Sequence, residues 1–170
     1  MQISHPSFIA VLALAIGLVH ATPAVNSIDQ LVIASTTAVG EYNLTIWIDA
    51  PGASTAAPAA VDARACGSNN VVCDTNNKAD ASLCSALIGQ LDSSTTIANS
   101  PRSICLGQSG NECCVSWSKA VGNMPESDLV NAARDVYNGC FSGAISGEAK
   151  NVDLNGVCVT QCLSNRPTEC

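Results

Sequence analysis

Residues 103–117 read SICLGQSGNECCVSW, and this stretch decides the fold. Residues 103–106 (SICL) and 113–117 (CCVSW) have the composition of short strands, and Gly107-Gln108-Ser109-Gly110-Asn111 between them reads as a hairpin-like loop. Neighbouring side chains on a strand point to opposite faces, so Cys113 and Cys114 must diverge. One is placed to staple the sheet to a helix layer, through Cys84 or Cys140. The other is placed to tie down a loop on the far face.

Helices flank this hairpin. Residues 80–91 (DASLCSALIGQL) set Leu83, Cys84, Leu87, Ile88 and Leu91 on one helical stripe, with Asp80 or Ser82 as the cap. A second helix is predicted over residues 127–138, with Ser127 as N-cap, Asp128 complementing the dipole and Gly139 as the stop. Leu129, Ala133, Val136 and Cys140 form its apolar stripe. Residues 151–163 (NVDLNGVCVTQCL) are rich in strand formers and are interrupted by the turn pair Asn155-Gly156, so they read as a terminal hairpin. The expected fold class is α+β: two helices packed on a small antiparallel sheet, stapled by disulfides.

The N-terminal third is different. Residues 8–19 (FIAVLALAIGLV) form an apolar run of export-signal length, with cleavage expected after Ala21. This gives a signal at 1–21, an N-terminal segment at 22–65 and a cysteine-rich domain at 66–170. Within the middle segment, residues 41–49 (EYNLTIWID) alternate as a strand, with Tyr42, Leu44, Ile46 and Ile48 on one face and Trp47 opposite. Asn43-Leu44-Thr45 is a glycosylation sequon, so Asn43 is the expected sugar acceptor. Residues 51–65 (PGASTAAPAAVDARA) read as a flexible linker, or as the end of a propeptide cut near Arg64.

Ten cysteines, Cys66, Cys73, Cys84, Cys105, Cys113, Cys114, Cys140, Cys158, Cys162 and Cys170, all lie in the last 105 residues. An even number in an exported chain predicts about five disulfides, with about 945 possible pairings. The rival reading is zinc held by Cys158 and Cys162, but no CxxC accompanies them and the expected mature chain has no histidine.

That lack of histidine shapes the chemistry. His5 and His20 both fall inside the expected signal. Ser-His-Asp and Cys-His catalysis are therefore closed, and no metal or cofactor site is expected. The net charge of −7 makes nucleic acid and anionic lipid poor partners. No membrane span is expected after the signal.

Ser116-Trp117-Ser118-Lys119 matches Ser-x-x-Lys, but that motif needs a helical turn, and these residues follow a strand. Gly107-Gln108-Ser109-Gly110-Asn111 lacks the second glycine of a nucleophile elbow and reads as a turn. The carboxylates Glu112, Glu126, Asp128, Asp135, Glu148 and Asp153 sit in no motif; two of them could pair as in a glycosidase, and loss of activity in a Glu112 or Asp153 variant would favour that reading. Trp117 reads as core packing against a disulfide.

Several segments together resemble a known family. They are Cys-Gly-Ser-Asn at 66–69, Cys84 in its helix, Ser-Pro-Arg-Ser-Ile-Cys at 100–105, and Cys-Cys-Val-Ser-Trp at 113–117. Leu-Val-Asn-Ala-Ala at 129–133 and Val-Cys-Val-Thr-Gln-Cys-Leu-Ser-Asn-Arg at 157–166 complete the pattern. Over residues 66–170 the chain resembles fungal secreted proteins with a WD-like domain and, more loosely, killer-toxin-like effectors of fungi. The chain has no internal repeat, so a propeller is excluded despite the label. The resemblance implies an extracellular fungal protein, often a candidate effector, and carries over no catalytic residue. The expected activity is recognition of an extracellular protein or cell-wall component. A secreted carboxylate-dependent hydrolase is the alternative. A hydrophobin-like coat protein fits less well, because there is one adjacent cysteine pair and the loops are polar.

Overall fold

The computed structural model describes residues 31–51, 66–91, 95–97 and 101–168. The expected signal, the linker from residue 52 onward and Cys170 lie outside them.

The core element is a seven-stranded, wholly antiparallel sheet in the order β1-β2-β6-β7-β11-β10-β3. Its members are β1 (Leu31–Val39), β2 (Tyr42–Asp49), β3 (Asn70–Cys73), β6 (Pro101–Gln108), β7 (Asn111–Trp117), β10 (Gly147–Leu154) and β11 (Val157–Ser164). Four short strands make two small ribbons: β4 (Ala79–Asp80) pairs with β9 (Ala144–Ile145), and β5 (Thr96–Ile97) with β8 (Met124–Pro125).

Hairpin chemistry sets the long strands. Between β6 and β7, Ser109 and Gly110 have φ of 51° and 83°; between β10 and β11, Asn155 and Gly156 have φ of 51° and 79°. Two successive left-handed residues are the signature of a type I′ turn, whose twist matches that of the strands. The first loop is thus tighter than the five residues expected, with Gln108 directly opposite Asn111.

Helix α1 (Ala81–Leu91) starts where Asp80 accepts hydrogen bonds from the Ser82 and Leu83 amides at 2.8 and 3.2 Å. That geometry satisfies donors the first turn leaves open. Its buried residues are Leu83, Cys84, Leu87, Ile88 and Leu91, the stripe read from the sequence. It packs over β6 and β7. Helix α2 (Val130–Cys140) packs over β10, β3 and β11 and touches α1. Ser127 does not cap it: Glu126–Leu129 form a preceding 3₁₀ turn, and α2 begins after Leu129 with no side-chain cap. Gly139 does not stop it either, and lies inside the helix where a Cβ would stand 3.3 Å from Val71 Cγ1.

The core lies between the helices and one face of the sheet. Ile104, Leu106, Cys113, Val115 and Trp117 meet Leu87, Leu91, Leu129 and Val136 there. Leu87 and Ile104 are fully buried, each worth about 1.5–3 kcal/mol. The opposite face carries Ser103, Cys105, Cys114, Ser116, Cys162 and Ser164, all buried.

Disulfides join these layers. Cys84–Cys113 ties α1 to β7, and Cys73–Cys140 ties β3 to the end of α2. Cys105–Cys114 links directly opposed residues on neighbouring strands, with Cα atoms 4.0 Å apart. Cys114 therefore braces its own sheet and does not tie down a loop.

The expected fold class, two helices on a small sheet, is overturned by this seven-stranded sheet with two short helices. The shortfall has identifiable causes. β1 (LVIASTTAV) is an edge strand exposed along most of its length, so it shows no clean two-residue alternation. β3 is only four residues long. β10 contains a bulge between Ala149 and Val152, with Asn151 at φ 60°, which breaks the alternation that would have extended the strand back to Gly147.

Candidate functional site

A cleft of about 490 Å³ opens at the β6–β7 turn end of the sheet. The turn itself, Gly107 through Glu112, makes one wall. Lys78 and Asp80, just before α1, make another. Asn43 on β2 and Asn165 after β11 complete the rim. The lining is nearly all polar: amides of Asn43, Gln108, Asn111 and Asn165, the ammonium of Lys78, and two carboxyls. Cys105–Cys114 lies at the base of the hairpin, and the Glu112 carboxylate and these two sulfurs lie within 4.8 Å of one another. Both sulfurs are joined in the disulfide and are not thiolate ligands.

The two carboxyls are driven in opposite directions. Half-burial beside the disulfide pushes the Glu112 carboxyl above the ordinary glutamate range, because desolvation disfavours the charged form. The Ser82 hydroxyl, then the Leu83 and Ser82 amides, donate to Asp80 and hold it below the usual aspartate range.

The other predicted residues go elsewhere. Ser116 is buried on β7 between Ser103 and Cys162. The Lys119 ammonium donates to the Cys158 carbonyl at 3.1 Å, and the Thr160 amide donates to the Ser118 hydroxyl at 3.0 Å. These contacts pin the end of β7 to β11, so the Ser-x-x-Lys segment is strand structure. Ser109 is a turn residue. Glu126 is buried in the 3₁₀ turn beside exposed Asp128. Asp135 accepts from the Asn69 side chain at 3.2 Å, Glu148 pairs with Lys150 at 3.0 Å, and Asp153 accepts from the Gly156 amide at 2.8 Å.

The register keeps Glu112 and Asp153 apart. Asp153 lies opposite Cys158, whereas Ser164 lies opposite Cys114, two residues beyond Glu112. Six residues of strand separate those points, on the order of 20 Å at about 3.3 Å per residue. Paired glycosidase carboxyls stand about 5–9.5 Å apart.

Asn43 is exposed and lies opposite Gly107, so the sequon asparagine stands on the cleft wall beside a residue with no side chain. Sequence reasoning picked out Asn43, Asp80 and Glu112, each for a different reason. It did not bring them together, and it passed over Lys78, Gln108, Asn111 and Asn165 as site residues. Cys162 is disulfide-bonded and so is not an available thiolate for the Cys158/Cys162 zinc reading.

The polar hairpin site and the sheet that carries it fall within a single sequence match, to the profile described as Fungal WD-like, over residues 26–170. The chain belongs to the fungal WD-like family. The matched region starts well before Cys66, so the fungal WD-like domain includes β1 and β2 as well as the cysteine-rich part. No curated protein and no solved structure matches the chain. Among the described residues, no helix of this fungal WD-like protein is long and apolar enough to cross a membrane.

Proposed function

We propose that this fungal WD-like protein is exported and acts outside the cell as a recognition protein of the candidate-effector kind, taking a hydroxyl-rich cell-wall component at the β6–β7 cleft. One observation carries the reading: the polar cleft is built on a hairpin cross-linked by Cys105–Cys114. A covalently braced wall loses little freedom on binding, which favours affinity. The side-chain amides of Gln108, Asn111 and Asn165 supply paired donors and acceptors suited to sugar hydroxyls. Disulfides persist in extracellular fluid, in keeping with export. A glycan on Asn43 would stand at the mouth of the cleft and limit the size of polymer admitted.

Co-sedimentation of the secreted protein with insoluble chitin, β-glucan and mannan tests this. Retention on one polymer is expected, weakened about tenfold (about 1.4 kcal/mol) by Asn111→Ala or Lys78→Ala. Asn43→Gln is expected to bind at least as well as the glycosylated protein. No retention on any polymer, or retention indifferent to all three changes, would refute the cleft as the binding site.

A second reading, a carboxylate-dependent hydrolase, draws on Glu112 and Asp80 sharing the cleft with oppositely shifted carboxyls, the pattern that separates acid from base. Release of soluble sugar that disappears in Glu112→Gln would favour it. Asp80 is also the helix cap, which offers a structural reason for its shift.

A further inference from the structure

Two thiols stand outside the disulfides described above. Cys73, Cys84, Cys105, Cys113, Cys114 and Cys140 are joined in three pairs, and Cys162 is bonded as well. Cys66 and Cys158 are free, and both are partly exposed.

They meet at one place. The Gly67 amide donates to the Asn151 carbonyl at 2.5 Å, which lays the start of the cysteine-rich region along β10. Cys66 Sγ then lies 3.9 Å from the Val152 carbonyl. Val152 is opposite Val159, and Asp153 is opposite Cys158, so the backbone register brings the Cys158 side chain beside Cys66. The neighbouring Cys158 side chain, then burial and the Asp153 charge, push the Cys66 thiol up to about 11.

We propose that Cys66 and Cys158 close as a further disulfide, solvent-accessible and exchangeable, which clamps the start of the cysteine-rich region to the β10–β11 hairpin. The oxidant is a low-molecular-weight disulfide such as oxidised glutathione. One cysteine thiolate attacks it, forming a mixed disulfide and releasing one glutathione thiol. The second cysteine then attacks the protein sulfur of that mixed disulfide and releases the other. Overall, the two cysteines give up two electrons and two protons, and one glutathione disulfide becomes two thiols.

Exposure sets this cross-link apart from Cys84–Cys113 and Cys105–Cys114, and likens it to Cys73–Cys140, whose Cys73 is also exposed. Cys84, Cys105, Cys113 and Cys114 are at most 1% exposed, whereas access governs exchange rate. The clamp also lies at the β10–β11 turn end of the sheet, away from the cleft at the β6–β7 end. Opening it should leave the cleft intact.

The inference shares with the proposed function only the oxidising environment. It is tested on the full purified chain, incubated with oxidised glutathione and digested without reduction. Mass spectrometry is expected to find a peptide linking Cys66 to Cys158. In a second arm, mild reductant and iodoacetamide are applied to the native protein. Cys66 and Cys158 should be alkylated at least tenfold faster than Cys84, Cys105, Cys113 and Cys114. A link from Cys66 or Cys158 to any other cysteine overturns the proposal, as does alkylation of both after the oxidising step. Equal labelling rates at all six positions would overturn exchangeability. In Cys66→Ser, one new thiol is expected at Cys158; the wild-type peptide map decides the pairing whatever the yield of the variant. Polymer binding can fail in every arm while this linkage is found, so the two readings are separable.

Discussion

The sheet has two unlike halves. From β6 to β3 it is roofed by α1 and α2 and tied by Cys73–Cys140, Cys84–Cys113 and Cys105–Cys114. The β1–β2 hairpin continues the same hydrogen-bond ladder, yet no cysteine precedes Cys66, so no cross-link reaches it from within. Val32 and Ile33 on β1 are exposed. A single sheet is therefore stabilised by buried area and covalent ties on one side, and largely by backbone pairing on the other. Hydrogen bonds add about 0.5–1.5 kcal/mol each, and native disulfides in small secreted domains about 2–5. The cleft lies on the seam, with Asn43 from the bare half facing residues of the braced half.

The largest effect tests the braced half. Replacing Cys84 and Cys113 together by Ala removes a fully buried tie and should cost about 2–5 kcal/mol, measured as a lower urea midpoint. Ile33→Ala, a similar loss of apolar atoms on the bare half, should stay within about 0.5 kcal/mol. Equal losses in the two variants would erase the distinction between the halves.

A smaller effect is expected at Gly147 on β10. A Cβ there would stand 2.8 Å from Cys140 Sγ and 2.9 Å from the Val72 carbonyl oxygen. Overpacking predicts a loss of about 1–3 kcal/mol for Gly147→Ala. An unchanged midpoint would show that α2 is free to move off the sheet, contrary to a close-packed roof.

The hairpin's tie to β6 is weaker still. The Arg102 guanidinium pairs with Asp49 at 2.9 Å and also donates to the Trp117 carbonyl. Both charges are partly exposed, so Asp49→Ala should cost under about 1 kcal/mol globally. Hydrogen exchange should show the faster opening confined to β1 and β2. Equal acceleration across β7 and β11 would mean that the two halves open as one unit.

The smallest effects are pH-dependent and concern the seam. The Asp80 carboxyl is depressed in the fold, so its contribution is present above the ordinary aspartate value and lost as pH falls through the folded value. The Glu112 carboxyl is raised, so the fold binds its proton more tightly than the unfolded chain, and stability falls as pH rises through that window. Asp80→Asn should therefore flatten the acid side of the stability profile. Glu112→Gln should remove the decline above the ordinary glutamate value and leave the protein slightly more stable at neutral pH. A Glu112→Gln variant less stable at neutral pH would show that the charged carboxylate has a partner that offsets its burial.

Local signals were legible to the degree that they were local. The stripe of Leu83, Leu87 and Leu91 and the capping Asp80 specify α1 with no help from elsewhere. Asn155-Gly156 marks a turn because its backbone freedom is intrinsic. The divergence of Cys113 and Cys114 follows from strand geometry, and the Cys84–Cys113 bond agrees with one of the two partners it allowed. The second helix was misplaced at both ends, because Ser127 and Gly139 carry cap signals that tertiary packing overrides. The cleft was illegible: Asn43, Lys78, Asn111 and Asn165 are far apart in the chain and share no periodicity.

By itself, then, the chain's sequence determined turns, helix faces, the family to which it belongs and the divergence of its paired cysteines. All of these depend on residues within a few positions of one another or on a recognisable string. Only the tertiary structure decided that β1 and β2 extend the sheet, that Cys114 bonds to Cys105, and that Asn43, Lys78, Asn111 and Asn165 share one cleft. Strand partners and side-chain neighbours are chosen by long-range packing, which one-dimensional patterns constrain to many solutions and three-dimensional close packing reduces to one.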